Sequence, residues 1–157
     1  MRKRKISRVP EKVSPGEQDW LDLERLAQVE ITSEDATHPI ESALIPGTGP
    51  GWRAAQPGVQ TIRITFDQPL RLRRILLMFD EEDQGRTQEF ALCWLPGGEE
   101  SFREIVRQQY NFSPPTTTRE IEDYSVELNG VTALELSIVP DISGSDACAT
   151  LAELRLA

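Results

Sequence analysis

The sequence predicts an all-β fold, an antiparallel β-sandwich or jelly roll preceded by a short helix. Two observations carry that expectation. Most of the chain beyond residue 28 alternates apolar and polar residues with a period of two, in seven or eight short runs. The runs are separated by strong turn signals, Pro96-Gly97-Gly98 and Asn129-Gly130 among them. Many short strands with such turns fit a sandwich better than an alternating α/β fold.

The first sixteen residues, MRKRKISRVPEKVSPG, read as a flexible basic arm, because Pro10, Pro15 and Gly16 interrupt a polar stretch without periodicity. Residues 17 to 157 form the single domain. In DWLDLERLAQ, Trp20, Leu23, Leu26 and Ala27 fall at helical spacing, with Asp19 as N-cap and Asp22 at the favourable dipole end, so a helix is expected from about residue 19 to 27. VEITS and TIRITF then read as half-buried strands, with Val29 and Ile31 on one face of the first and Ile62, Ile64 and Phe66 on one face of the second.

LRLRRILLMFD passes from alternation to a continuous apolar run, as a strand does that enters the interior, and so reads as a central strand. RTQEFALCW puts Phe90, Leu92 and Trp94 on one face. SFREIVRQ, DYSVEL, TALELSIV and ATLAELRLA follow, and Asn129-Gly130 reads as a tight hairpin between the Leu128 and Leu134 strands.

Bulk composition narrows the function. The formal net charge is −9, yet residues 1 to 12 carry six basic side chains against Glu11, which leaves the remainder near −14. So acidic a folded part argues against general nucleic-acid binding. No apolar run is long enough to cross a bilayer. The basic start lacks the apolar segment of an export signal, so a cytoplasmic location is expected. Cys93 and Cys148, the two cysteines, read as reduced thiols, one in a strand and one in a loop.

Catalytic equipment is sparse. His38 is the sole histidine and lies in THPIES, a loop or turn, and no nucleophile elbow occurs. The acidic runs at 80 to 83, 98 to 100 and 120 to 123 read as solvated turns rather than acid/base pairs. GTGPG has no following lysine and opens no helix, which argues against a phosphate cradle. No enzyme activity is expected. Trp52 and Arg53 follow that loop and admit two readings: an indole and guanidinium that stack on and hydrogen-bond a sugar, or an aromatic that covers the open end of the sandwich.

The order of motifs resembles the galactose-binding-like jelly-roll superfamily, which includes discoidin or coagulation factor 5/8 type C domains and many carbohydrate-binding modules. The similarity covers roughly residues 29 to 157. It rests on SALIPGTGPGW, TIRITFDQP, LRRILLMFD, RTQEFALCWLPGGEESFREIV and the closing ATLAELRLA. The resemblance implies a non-catalytic module that binds carbohydrate through loops at one end, with His38, Trp52, Arg53, Gln56, Arg86, Tyr110 and Asn111 as candidate contacts and Arg53 as the favoured one.

Three of these have a structural alternative: Arg86 anchors a turn after the acidic run, and Tyr110 and Asn111 complete a strand end. The resemblance also implies a structural calcium with Glu153 among its ligands, although Pro46-Gly47 stands where the family has Asp-Gly. A metal is therefore not part of the main expectation, and no other cofactor is implied. The alternative function is an intracellular protein-protein interaction adaptor, as in relatives found in DNA-repair scaffolds and ubiquitin-ligase assemblies.

Overall fold

Alternating side chains demand that one face of every strand be covered, and in the computed structural model, which describes residues 20 to 157, two packed layers of antiparallel strands do so. The expected arm, residues 1 to 16, and the Asp19 cap lie outside the described residues. The elements are α1 (Leu23–Leu26), β1 (Ala27–Ile31), α2 (Glu41–Leu44), β2 (Trp52–Arg53), β3 (Gln60–Asp80), β4 (Arg86–Pro96), β5 (Arg103–Phe112), β6 (Arg119–Val139), β7 (Thr150–Leu151) and β8 (Glu153–Leu156).

Two long strands organise the molecule. β3 and β6 pair antiparallel from Gln60↔Ile138 to Asp80↔Arg119, with register irregularities between Thr65 and Arg74. The early half of β3 pairs also with β1, and the late half of β6 pairs with β4, which carries β5 at its far edge. The late half of β3 pairs instead with β8. Each long strand thus serves both layers, and the core lies between its halves. Phe79 from one layer meets Phe90 from the other with ring centroids 5.3 Å apart. Leu72, Ile75, Leu77, Leu92, Leu134 and Ile138 are buried around them.

Three sequence expectations change. TIRITF and LRLRRILLMFD, read as two strands, are one continuous β3. DYSVEL and TALELSIV are likewise one strand, and Asn129-Gly130 does not close a hairpin: its flanking segments pair with the two halves of β3 rather than with each other. Gly130, at φ +65, takes the left-handed conformation that this corner requires. The helix expected over 19 to 27 is one turn, Leu23–Leu26, because Ala27 is already extended and pairs with Phe66. Asp22 sits at its N-cap without a side-chain cap bond. A further turn, α2, occurs within the segment read as loop; it begins just after Pro39, whose carbonyl accepts from the Ser42 amide.

The closing segment splits in two. Thr150–Leu151 pairs with β2, and after Ala152 the chain pairs with β3. β2 and β7 lie so close that a Cβ on Gly51 (φ +114) would stand 2.7 Å from the Leu151 carbonyl oxygen. The glycine of GTGPGW therefore seats the following tryptophan against the core. Cys93 lies in β4 and Cys148 in the loop before β7, and both are free thiols.

Candidate functional site

Strand pairing brings the segments 32–40, 54–59, 81–85, 113–118 and 140–149 to one end of the sandwich. Links between them and to the adjoining β4 show the juxtaposition: Glu81 N–H donates to the Thr118 carbonyl, Ala54 N–H to the Ala149 carbonyl, and Ile142 N–H to the Thr87 carbonyl. This end is built over a buried polar network.

Arg86 is 3% exposed. Its Nε donates to Glu81 Oε1 at 2.6 Å, Nη1 to the Pro140 carbonyl at 2.8 Å and to Gln88 Oε1 at 3.2 Å, and Nη2 to Thr150 Oγ1 at 3.2 Å. The guanidinium also lies over the Phe112 ring, 4.7 Å from its centroid. Thr150 passes the chain of bonds on to the Asp80 carbonyl at 2.8 Å. Burial alone would raise the Glu81 pKa, but the bond from Arg86 and the amides of Asp83 and Gln84 outweigh it and hold the carboxyl below its usual range.

On the interior side Gln88 Nε2 donates to Glu120 Oε1 at 3.0 Å, and the other Glu120 oxygen is buried without a donor. Burial, with the Glu122 carboxylate beside it, pushes Glu120 up to about 9. In the neutral form this oxygen carries a proton of its own and does not need an external donor.

Several sequence expectations are corrected by this geometry. Arg86 is fully engaged inside the frame and is not a ligand contact; the alternative reading, an anchor for the turn after the acidic run, is the observed one. Glu81 and Glu120 are buried, so neither acidic run is wholly a solvated turn. Trp52 is 1% exposed, and its Nε1 donates to the Ser33 carbonyl at 3.0 Å. It closes the core and offers no face for stacking. Tyr110 packs edge-on against Phe112 and donates its hydroxyl to the Arg119 carbonyl at 2.8 Å, joining the free margins of the two layers. Asn111 Oδ1 accepts from Thr87 Oγ1 across the β4–β5 ladder at 3.0 Å. Gln56 is exposed on the turn beyond Arg53, outside both depressions described next.

His38 and Arg53 do come together. Arg53 N–H donates to the His38 carbonyl at 3.2 Å and the Arg53 carbonyl accepts from Asp35 N–H at 2.8 Å. The Thr37 hydroxyl sits 2.9 Å from His38 Nδ1 and also donates to Asp35 Oδ1 at 2.9 Å. Thr37's amide and hydroxyl hold the Asp35 carboxyl below its usual range, with smaller pulls from His38 and Arg53. Arg53 stands between two depressions. One, of about 130 Å³, is lined by His38, Pro50, Trp52, Asp80 and Thr150. The other, of about 270 Å³, is lined by Glu81, Asp83, Gln84, Asp146 and Cys148. The loop that carries Asp146 is held by Asp141, whose Oδ1 accepts from the Ser143 hydroxyl at 2.7 Å and amide at 3.1 Å. The Ser145 and Ser143 hydroxyls hold Asp141 down at about 2.

The second depression was not legible as a site in the sequence. A signal for its frame did exist, since the period that places Phe90, Leu92 and Trp94 inward places Gln88 and Arg86 inward too.

The residues do not fit the implied calcium. Glu153 is half exposed, and among the described residues no three His, Cys, Asp or Glu side chains group as metal ligands. The carbonyl of Ala43, in the early segment SALIPG, instead accepts from Arg155 Nη1 at 2.7 Å, and the Leu154 carbonyl accepts from the same nitrogen at 3.0 Å. Arg155 is buried, which pulls its pKa down against the opposing charge of Glu153, 3.8 Å away. A cation of the chain's own already joins the early segment to the last strand.

Comparison with solved structures supports the fold class, a β-sandwich jelly roll. A family 32 carbohydrate-binding module from Clostridium perfringens NanJ, solved with galactose, is 12% identical, with a TM-score of 0.63 over 87% of this chain and 96% of that one. The third such module, CBM32-3, of a family 31 glycoside hydrolase from the same organism is 18% identical, with a TM-score of 0.64 over 92% and 98%. Reduced XRCC1, solved bound to the DNA polymerase β catalytic domain, is 13% identical, with a TM-score of 0.58 over 85% and 96%. No family model and no curated protein sequence matches the chain.

Two predictions follow from the buried charges. A carboxyl whose pKa is raised on folding contributes most below its unfolded value, near 4.5, and its contribution is lost as pH rises through about 9. Denaturant unfolding should therefore show the stability of Glu120→Gln, relative to wild type, growing by at least about 1 kcal/mol between pH 5 and pH 8; a difference constant with pH contradicts a proton held by Glu120. Because Arg155 supplies the cation, neither excess calcium nor a chelator should change the melting temperature. A calcium-dependent rise would reveal a site, since a ligand specific to the native state must stabilise it.

Proposed function

We propose that the protein is a non-catalytic carbohydrate-binding module whose ligand engages the loop end through Arg53. One observation carries this reading. Among the described residues Arg25, Arg53 and Arg73 form no ion pair, whereas Arg63, Arg71, Arg74, Arg86, Arg103, Arg107 and Arg119 each meet a carboxylate within 4 Å; of the three, Arg53 alone is half-buried and lines the depressions of the loop end. A guanidinium that is only half buried, beside an imidazole and between depressions lined by Asp83, Gln84, Asp146 and Thr150, presents donors and acceptors in alternation. That is the chemistry needed to read the hydroxyls of a sugar ring. The galactose complex of the NanJ module supports the reading through fold alone. Recognition here is by hydrogen bonds rather than by an indole platform, because Trp52 is committed to the core.

Titration calorimetry with a panel of neutral monosaccharides, galactose and fucose included, tests it. At least one sugar should bind, and Arg53→Ala should weaken it by about tenfold or more without lowering the melting temperature, a loss of about 1.4 kcal/mol. Gln56→Ala and Asn111→Ala should leave the affinity unchanged. No heat across the panel, or full affinity in Arg53→Ala, would overturn the proposal, and a silent panel would move the weight to the adaptor reading.

A further inference from the structure

An apolar depression lies away from the loop end. It is a groove of about 280 Å³ between α1, β1 and α2, walled by Leu23, Ala27, Val29, Ile40 and Leu44, with Glu24 and Glu41 on its rim. β1 pairs only with β3, so the groove runs along a sheet margin that no strand covers among the described residues. Leu26, at the end of α1, is a further exposed apolar side chain. The rim carboxylates have no basic partner among the described residues, although both belong to exposed positions where cations can approach.

The chain itself carries a segment of complementary composition upstream of the point where the described fold begins. It enters the described fold at Trp20, whose ring lies 4.9 Å from the Arg74 guanidinium, and at Leu21, whose N–H donates to the Leu156 carbonyl at 2.8 Å. Two residues later Leu23 forms part of the groove wall. Upstream, residues 2 to 13 combine three β-branched aliphatics, Ile6, Val9 and Val13, with Arg2, Lys3, Arg4, Lys5, Arg8 and Lys12 against one acid, Glu11. Nine residues separate Val13 from Leu23, a tether that can extend roughly 30 Å, long enough to fold back along the groove.

We propose that residues 2 to 13 dock in this groove of their own chain, with aliphatic side chains against Val29, Ile40 and Leu44 and basic side chains on Glu24 and Glu41. The apolar lining gives burial and the rim gives charge selection. Such docking also covers the bare margin of β1, which limits edge-to-edge association. The site is separate from Arg53, so its test does not depend on sugar binding.

The full chain is the material for the experiment. Methyl-resolved NMR should show contacts from Val9 and Val13 to Val29, Ile40 and Leu44, and trypsin should cut after Arg8 and Lys12 slowly. Two variants release the segment by different routes: Glu24→Gln with Glu41→Gln removes the rim charge, and Val9→Ser with Val13→Ser removes the apolar contact outside the folded core. Each should speed cleavage at both sites by about tenfold. Equal cleavage rates in wild type and both variants, or contacts seen only between differently labelled chains, would overturn docking within the chain.

Discussion

The loop end depends on one buried cation. Removing a guanidinium and a carboxylate from water costs several kcal/mol per ion, and only complete hydrogen bonding makes such a pair tolerable. Arg86 and Glu81 meet that condition. The arginine reaches the carboxylate, the Pro140 carbonyl, Gln88, Thr150 and the Phe112 ring, and the carboxylate also caps the amides of Asp83 and Gln84. Those partners belong to the 81–85 turn, the 140–149 loop, β4, β5 and β7. One side chain therefore fixes the relative positions of the segments that frame Arg53.

Around this point the charges divide into two kinds. Arg86 and Arg155 are internal and act as fixed cations, the first for the loop end and the second for the contact between α2 and the last strand. Arg53 is left with backbone bonds only and an accessible head, which is why the proposed recognition centres on it. Trp52 belongs to the scaffold. Gly51 brings β2 against β7, and the indole N–H finds the Ser33 carbonyl, so the tryptophan is satisfied where it is buried.

The sequence was most informative where a two-residue period met a simple environment. The strands, their order and the all-β class followed from alternation, as in TIRITF, where Ile62, Ile64 and Phe66 are all buried. Continuity was hidden, because a turn signal such as Asn129-Gly130 specifies a change of direction and not which strands pair across it. α1 shortened for a related reason: the spacing of Trp20, Leu23 and Leu26 is helical, but Ala27 gains a ladder partner in Phe66 by leaving the helix. Within the candidate site, the adjacency of His38 and Arg53 was legible only through the motif order. Arg86 misled because a charged residue at a loop edge is usually solvated, whereas its partners Glu81, Pro140 and Thr150 come from distant parts of the chain. The groove beside β1 had no signature at all, since its walls come from three elements, one of them the unanticipated α2.

The account stands most directly on the coupling between Arg86 and Glu81. Equilibrium unfolding of Arg86→Met, Glu81→Gln and the double variant measures it. Loss of the arginine alone should cost about 3 to 5 kcal/mol by stranding a buried carboxylate, and the double variant should be less destabilised than the two single losses added together. Strictly additive losses, with Arg86→Met costing less than about 1 kcal/mol, would contradict a loop end organised by this pair.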